Sequence, residues 1–351
     1  MKRLATWQVF LLLTLLLVLA VIASASIGAF TFSPAKMTSY LAQVAGWMPL
    51  DAGDHLGRNV FLQLRLPRVF MAGLTGAVLG LAGTLMQGLF RNPIVEPGLA
   101  GTSAGAAFGA AMVFVLGGPA LHLSALGILA MPTAAFIGAL VATLLVYHVS
   151  AAFGKVNVFT LLLAGIAVNA LCTAGTGFLS YIARDPQARN ITFWNLGTFT
   201  TADWRAVLLV APVFLFGLVW SMRHRKSLNA LMLGEDEAGY LGVDPGRLIF
   251  RMLVVNTLMV AVDAAMVGVI AFVGLVIPHV LRLLRSSDYT FLVPASALLG
   301  ATVMEVTDIV ARLVVRPAEL PVGIITAVVG APVFLLVLLR GVRRAGMTTG
   351  A

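Results

Sequence analysis

The sequence predicts an all-α polytopic membrane protein with about ten transmembrane helices, and two observations support this fold class. Of the 351 residues, 60% are hydrophobic and 11% are charged, with a mean hydropathy of +1.00, whereas soluble domains are about half apolar and about a quarter charged. Apolar segments long enough to cross a hydrocarbon layer of about 30 Å recur along the whole chain. No polar stretch is long enough for a separate soluble domain, so we expect residues 1–351 to form one transmembrane domain.

The first apolar run is longer than the hydrophobic core of a signal peptide and precedes no convincing cleavage site, so it is a predicted span. The stretch 249–285 is too long for one span and short for two. Gly268, Gly274 and Pro278 would interrupt a helix there, so we expect one full span and one short or re-entrant one. The predicted spans are 8–30, 66–88, 98–117, 124–149, 158–182, 204–222, 249–269, 270–285, 291–314 and 321–340.

The net charge of +9 could suggest nucleic acid binding, but the basic residues lie in short connections between spans, which indicates topology instead. With ten spans and both termini in the cytoplasm, most of the 23 Lys and Arg residues lie inside. If 249–285 crossed the membrane only once, every later segment would change sides, and fewer than half of the Lys and Arg residues would lie inside. The strongest anchors are the cluster at 223–226 and the tail containing Arg340, Arg343 and Arg344.

A second group of arginines is predicted at the outer surface. Arg58, Arg65 and Arg68 precede the second span, and Arg312 and Arg316 end the ninth. Long basic side chains at such positions can reach lipid headgroups. The same residues would also form a positive rim that docks an acidic partner. The spacing alone leaves both interpretations open.

Three acidic residues fall within predicted spans, where ionisable groups are costly and often functional. Asp308 lies one helical turn from Arg312, which predicts an ion pair, and Glu305 lies one turn further into the membrane. Asp263 is near the middle of its span without an obvious partner. It could bind a proton or orient helices, and a structural, internally bonded role is favoured for Asp263 over a role in transport.

The sequence offers no chemistry of its own for catalysis, metal binding or energy coupling. It has no phosphate-binding loop, no His or Cys pattern typical of a metal site and no defensible catalytic set. Cys172, the single cysteine, lies in an apolar run and is expected to pack there. We therefore expect a transport subunit that is not an enzyme, with any ATP hydrolysis on another chain.

Two shorter patterns concern packing and surfaces. Gly76 with Gly80, and the row Gly101, Gly105 and Gly109, predict close helix contacts. The polar stretch 223–248 is predicted to be cytoplasmic, with a helix at 229–241 that would suit docking of a partner.

The outer connection after the fifth span contains Arg184, Arg189, Phe193, Trp194 and Trp204. Aromatic residues at this depth are usually membrane anchors. Together with arginine they can also receive a flat anionic ligand by stacking and charge.

Several motifs in the same order resemble the iron-chelate, haem and cobalamin permease family of ATP-binding-cassette (ABC) importers, and in particular its haem permeases. They are RLPR at 65–68, GAVLGLAGTLMQGLFRNPIVEPGLAGTSAGAAFGA at 76–110, LGEDEAGYLGVDP at 233–245, FVGLVIPHVLRLL at 272–284 and ELPVGIITAVVGAPVFLLVL at 319–338. The resemblance implies a type II importer permease fold in the bacterial inner membrane. It also implies a homodimer that works with two ABC ATPase subunits and a periplasmic substrate-binding protein, with no nucleic acid partner.

The resemblance also implies roles for individual residues. Arg65, Arg68 and Arg312 match the arginines that dock the binding protein. The fifth span matches the helix that lines the pathway, with Asn169, Cys172 and Thr176 as its polar or reactive points. The ATPase-coupling segment corresponds to Leu233, Gly234, Glu235, Asp236, Ala238, Leu241, Gly242 and Val243.

The predicted substrate is haem, because TFWNLGTF at 192–199 is similar to a string in haem permeases. Arg184 and Arg189 would then meet the haem propionates transiently. Ferric siderophore and cobalamin remain alternatives within the class, and a proton-driven secondary transporter using Asp263 or Glu305 is the alternative class. We expect no cofactor bound by this chain, with Mg-ATP on the partner ATPase and haem as the cargo.

Overall fold

The computed structural model describes residues 5–28, 30–49, 53–117, 127–152 and 158–348, and this part of the chain is helical without β-strands. Seven helices among the described residues are long and apolar enough to cross a membrane. Three shorter apolar helices, Thr102–Leu116, Val273–Leu284 and Val322–Leu336, bring the total to the ten that the sequence predicted.

In chain order, the described α-helices are α1 (Thr6–Ser26), α2 (Pro34–Val44), α3 (His55–Asn59), α4 (Leu66–Leu89), α5 (Thr102–Leu116), α6 (Gly127–Ala151), α7 (Val158–Ile182), α8 (Asp185–Asn195), α9 (Trp204–Arg223), α10 (Arg225–Leu231), α11 (Glu235–Tyr240), α12 (Pro245–Val267), α13 (Val273–Leu284), α14 (Tyr289–Leu313) and α15 (Val322–Thr348). A π-helical stretch, Val60–Arg65, joins α3 to α4, and a 3-10 turn, Pro97–Ala100, precedes α5.

Helix α4 is the centre of the fold. Every side chain from Thr75 to Leu89 is buried, and its most extensive partner is α14. Small residues permit that contact: a Cβ built on Gly76 would lie 2.1 Å from the carbonyl oxygen of Gly300, and one on Gly80 would lie 2.4 Å from that of Ser296. The predicted close packing at this glycine pair is therefore confirmed.

The glycine row of α5 makes the second close helix contact. A Cβ on Gly105 would lie 2.4 Å from the Gly138 carbonyl oxygen, and one on Gly109 would lie 2.1 Å from that of Ala134. Both of those carbonyls belong to α6, so the row brings the backbones of α5 and α6 together as predicted.

The stretch 249–285 contains one full-length helix, α12, and one short helix, α13, as expected from the sequence. The interruption lies at 268–272, where Gly268 adopts φ +80° and ends α12. The expectation that Gly274 and Pro278 also interrupt the helix is wrong, since both lie inside α13. Pro278 has no N–H to donate to the Gly274 carbonyl oxygen, and Gln87 Nε2 on α4 lies 3.5 Å from that oxygen in its place.

Three other sequence-based boundaries change. The connection after α7, which the sequence placed at the outer side, is partly helical, because α8 forms within it. The predicted single helix at 229–241 is two helices, α10 and α11, since Gly234 separates them with φ +142°. The predicted span 124–149 begins at residue 127 in the described part, with residues 124–126 outside it.

Candidate functional site

One end of the bundle is held by a buried network of charged side chains around Asp308. Asp308 is fully buried on α14, and its carboxylate accepts hydrogen bonds from Arg68 Nη2 at 2.8 Å and Nε at 3.1 Å. Arg312 Nε lies 3.0 Å from the other oxygen, so the ion pair predicted from the i, i+4 spacing is confirmed. Arg68 Nη1 also pairs with Glu319 Oε2 at 2.8 Å.

The remaining donors of this network attach the end of α1. Arg312 Nη1 donates to the Ile27 carbonyl oxygen at 2.6 Å, and its Nη2 donates to Ser24 Oγ at 2.8 Å. Arg65 donates to the carbonyl oxygens of Ile27 at 2.8 Å and Phe30 at 3.1 Å. These carbonyls follow the last turn of α1, where a helix leaves its carbonyl groups without internal partners.

The three arginines matched to binding-protein docking therefore lie together, but their guanidinium groups face inward. Arg65 and Arg312 are only 8% and 5% exposed, and the Arg68 side chain is 13% exposed. Each is already bonded within the chain. A docking role for these residues stays a prediction, and the structure gives them a role in packing that sequence spacing did not reveal.

The segment predicted to couple to the ATPase, residues 233–243, lies at the opposite end of the bundle. The helix α4 runs without a break from Leu66 to Leu89, about 36 Å at 1.5 Å per residue. Just after its end, Arg91 Nη2 lies 3.4 Å from Glu235 Oε1 on α11. Asn229 on α10 donates to Asp288 Oδ1 at 2.9 Å and accepts from the Tyr289 amide at 3.0 Å, which fastens the segment to the start of α14.

The predicted coupling residues divide into an anchored set and a free apolar surface. Ala238 and Gly234 are buried, and Val243 is half-buried against the core. Leu233 and Leu241 are 67% and 63% exposed, and Asp236 and Gly242 are also exposed. Exposed leucines on an otherwise fastened segment are typical of a protein contact surface.

Sequence reasoning missed one member of this surface. Tyr240 is 90% exposed between the two leucines, and aromatic residues are enriched at protein interfaces. Its place inside the quoted motif, next to Leu241, was the signal that could have identified it.

A polar cavity of about 590 Å³ lies beside α7. Asn169, Thr173, Thr176 and Ser180 line it from one face of that helix, since residues three or four apart lie on the same side. Asn169 Nδ2 donates to the Leu99 carbonyl oxygen at 3.1 Å, and Thr176 Oγ1 donates to the Cys172 carbonyl oxygen at 2.9 Å. Among the described lining residues, Glu96 alone is ionisable.

The structure brings only some of the predicted pathway residues to this cavity. Asn169 and Thr176 line it, and Thr173 and Ser180 are additions that the sequence did not point to. Cys172 is partly buried and packs against the hydrophobic core, which confirms the packing interpretation. Arg184 and Arg189 lie outside the lining. Arg184 is exposed just before α8, and Arg189 is exposed on α8 with its guanidinium 5.4 Å from the Phe193 ring centre.

The mid-span acid Asp263 is satisfied within the fold. It is 2% exposed, and Thr75 Oγ1 on α4 donates to its Oδ1 at 2.7 Å. The internal hydrogen bond expected for this acid is therefore present, and its structural role stays a prediction.

Known proteins are similar to this chain along most of its length. The FecCD transport family matches residues 16–340. The hemin transport system permease protein HmuU of Yersinia pestis is 37% identical over 93% of this chain and 94% of its own length. The vitamin B12 import system permease protein BtuC of Salmonella typhi is 39% identical over 88% of this chain and 93% of its own length.

Solved structures agree with the sequence comparison. A structure assigned to the metal-chelate type of ABC transporter, in an inward-facing conformation, superposes with a TM-score of 0.81 and 31% identity. The superposition covers 95% of this chain and 99% of that one.

Three findings identify the class of protein. They are the ten apolar helices of the described residues, the fastened segment with its exposed leucines, and the family match. As a permease component the chain works with ATPase and binding-protein partners, and ATP hydrolysis resides in a separate subunit. The chain belongs to the FecCD transport family and is a multi-pass permease subunit of an ABC importer.

Proposed function

We propose that this permease moves haem across the bacterial inner membrane by alternating access, as one of two identical copies with both termini in the cytoplasm. In this proposal two ATPase subunits bind Mg-ATP and push on the coupling segment, and a periplasmic binding protein delivers the haem. The chain itself binds no cofactor, and haem is the cargo.

The observation that carries the proposal is the cavity beside α7. Its α7 wall presents an amide and hydroxyl groups, and the neighbouring surface of the same helix exposes Leu171 and Phe178. Hydroxyl and amide groups can contact a large metal chelate without holding it tightly, and transport requires release. One chain supplies only part of an enclosure, which favours a second copy facing α7 across the pathway.

Two further observations support haem as the chelate. The similarity to a hemin permease spans 93% of the chain. Arg184 is exposed just before α8, and Arg189 is exposed on it. In this proposal both lie near the outer opening of the pathway, where they can briefly contact the two propionates of haem. Cobalamin remains the alternative, because the similarity to a vitamin B12 permease is of comparable extent. Ferric siderophore is the other chelate of this class.

The test is uptake into liposomes that contain the chain, its ATPase and its binding protein. We expect haem to enter only when ATP and the binding protein are both present, and cobalamin and a ferric siderophore to enter poorly. ATP hydrolysis stimulated by the binding protein without haem uptake would reject haem and leave the importer assignment intact.

Two variants test the propionate contacts and the ATP-driven mechanism separately. Arg184→Ala with Arg189→Ala should slow haem uptake, and full uptake by this double variant would remove the propionate assignment. Asp263→Asn keeps an oxygen that can accept from Thr75, so ATP-driven uptake should persist. A proton-driven carrier that relays through Asp263 would instead lose uptake with this change.

A further inference from the structure

Helix α2 lies at the point where the membrane-spanning helix α1 ends. The last residue of α1 is Ser26, whose hydroxyl donates to the sulfur of Met37 on the first turn of α2 at 3.7 Å. On the next turn, Tyr40 packs with Phe32 and Phe61 in a buried cluster that also contains Met37. Since two successive turns of α2 contact this cluster, the helix runs along the end of the bundle.

The apolar face of α2 is longer than the surface that it covers. Four residues have the i, i+3, i+4, i+7 spacing of one helical face, namely Met37, Tyr40, Leu41 and Val44. Met37 and Tyr40 are buried. Leu41 and Val44, one turn further along, are 47% and 65% exposed. The apolar face therefore continues past the packed cluster, on the same side of the helix that contacts the bundle.

The residues that follow α2 extend this exposed apolar surface. Trp47 is 84% exposed, and Met48 beside it is half exposed. The stretch 37–49 contains no charged residue, so it offers no charge complementarity to an acidic or basic protein surface. Tryptophan is enriched where the hydrocarbon layer meets the lipid headgroups, because its ring is apolar and its N–H is polar. The composition of this surface fits the membrane interface.

The exposed part of α2 adjoins the lipid-facing side of α1. On α1, a span by length and composition, Leu19 and Ile22 are exposed, as expected for side chains that face acyl chains. Phe30, just after α1, is exposed as well. Because Met37 contacts the last residue of α1, the apolar face of α2 begins at the depth where the lipid-facing surface of α1 ends. The two surfaces are therefore continuous at the membrane boundary.

We propose that Leu41, Val44 and Trp47 form an interfacial anchor that inserts among the lipid headgroups beside α1. Amphipathic helices that lie on a bilayer bury their apolar face about 5–10 Å into the boundary between headgroups and acyl chains. The anchor holds the end of α1, to which Arg65 and Arg312 are bonded through the Ile27 carbonyl oxygen, at a fixed depth. It uses no residue of α7, so the inference does not depend on which chelate is transported.

The test measures the depth of spin labels, with the full chain and its ATPase in phosphatidylcholine nanodiscs and Cys172→Ser as the background. Collisions with oxygen, which concentrates in lipid, and with a nickel chelate, which stays in water, give the depth of each label. Labels on Val44→Cys and Trp47→Cys should lie about 5–10 Å below the phosphate groups. The matched control is Ala35→Cys, exposed on the opposite face of α2 from Val44, whose label should stay in water.

Three outcomes would overturn the proposal. In the first, the labels at Val44 and Trp47 collide with the nickel chelate as often as the label at Ala35. In the second, they are shielded from the chelate only after the binding protein is added, which would assign the surface to that protein. In the third, the labels of two copies broaden each other's spectra, which would assign the surface to a contact between permeases.

A second readout needs no label. Phosphatidylcholine brominated near the headgroup quenches the fluorescence of tryptophan at the membrane interface, and Trp47→Phe should lower the intensity that this lipid quenches. Quenched intensity that is equal in the wild type and in Trp47→Phe would contradict the insertion of Trp47.

Discussion

Asp308 shows how one buried residue can decide the stability of this fold. It holds the charges of Arg68 and Arg312, and these arginines in turn connect α4, α14 and the end of α1. The i, i+4 spacing predicted its pairing with Arg312, but the contact with Arg68 joins residues 240 positions apart. A pattern within one helix cannot predict a contact of that kind.

Replacing Asp308 with Asn should destabilise the protein strongly. The change leaves the buried Arg312 without a carboxylate partner and Arg68 with only the more exposed Glu319. Breaking a buried ion pair typically costs about 3–5 kcal/mol. The matched control is Glu319→Gln, which removes a more exposed partner of Arg68 and should cost less than about 1 kcal/mol. Unfolding in detergent would measure both, and equal losses would contradict a central role for Asp308.

Asp288 makes the stability of the bundle end next to α10 depend on pH. It lies just before α14, where the Asn229 side chain and the Thr290 amide donate to it, and these hydrogen bonds lower the pKa of its carboxyl below the ordinary value of 3.8. A lowered folded pKa means that the contribution to stability is present above pH 3.8 and is lost as the pH falls through the folded pKa.

The corresponding measurement compares thermal unfolding of the wild type and of Asp288→Asn between about pH 6 and about pH 3. The wild type should be the more stable at the upper end, and the difference should shrink as the pH falls. A difference that stayed constant with pH would mean that charge at Asp288 does not matter.

At the scale of elements, the contact between α4 and α14 depends on glycine. Gly76→Ala places a methyl group where the Gly300 carbonyl oxygen lies 2.1 Å away, so the helices must separate. Overpacking of this kind typically costs about 1–3 kcal/mol. The control Gly177→Ala adds the same methyl to α7 with no atom within 4 Å, and it should be neutral or slightly stabilising. Denaturation midpoints of the two variants test the difference.

The coupling segment shows a similar division between pattern and packing. The sequence indicated its helical propensity and its polar character, and both helices form within the predicted polar stretch 223–248. Its break at Gly234 was not predicted. The glycine adopts φ +142° there, a backbone conformation that other residues rarely adopt. The exposed row Leu233, Tyr240 and Leu241 became visible only when the buried face was known.

For the molecule as a whole, the exposed face of α7 predicts how two copies meet. In a variant with Cys172→Ser, Thr173→Cys should be joined to its counterpart in a second copy by a short bis-maleimide. The reason is that the polar face of α7 lines the proposed shared pathway. Leu15→Cys in the same background is the control, since it is exposed on α1, away from that face. Dimer bands on a denaturing gel report the result.

Failure of Thr173→Cys to cross-link while Leu15→Cys does so would move the dimer interface to α1 and remove the proposed pathway. Efficient cross-linking of Thr173→Cys alone would support the two-copy arrangement. The ATPase subunit should be present in both experiments, so that the permease is in its assembled form.

Hydrophobic length and ordered motifs are local properties of the chain, and they were enough to predict the membrane class, the ten apolar helices, the short helix near 273–284 and the family. The Asp308–Arg312 pair was also predictable, because one helix contains both residues. Packing was needed to find that the predicted docking arginines face inward, that Arg184 and Arg189 lie outside the cavity beside α7 and that Glu305 is fully buried. Those outcomes depend on how distant helices approach and rotate against one another, which no single segment specifies.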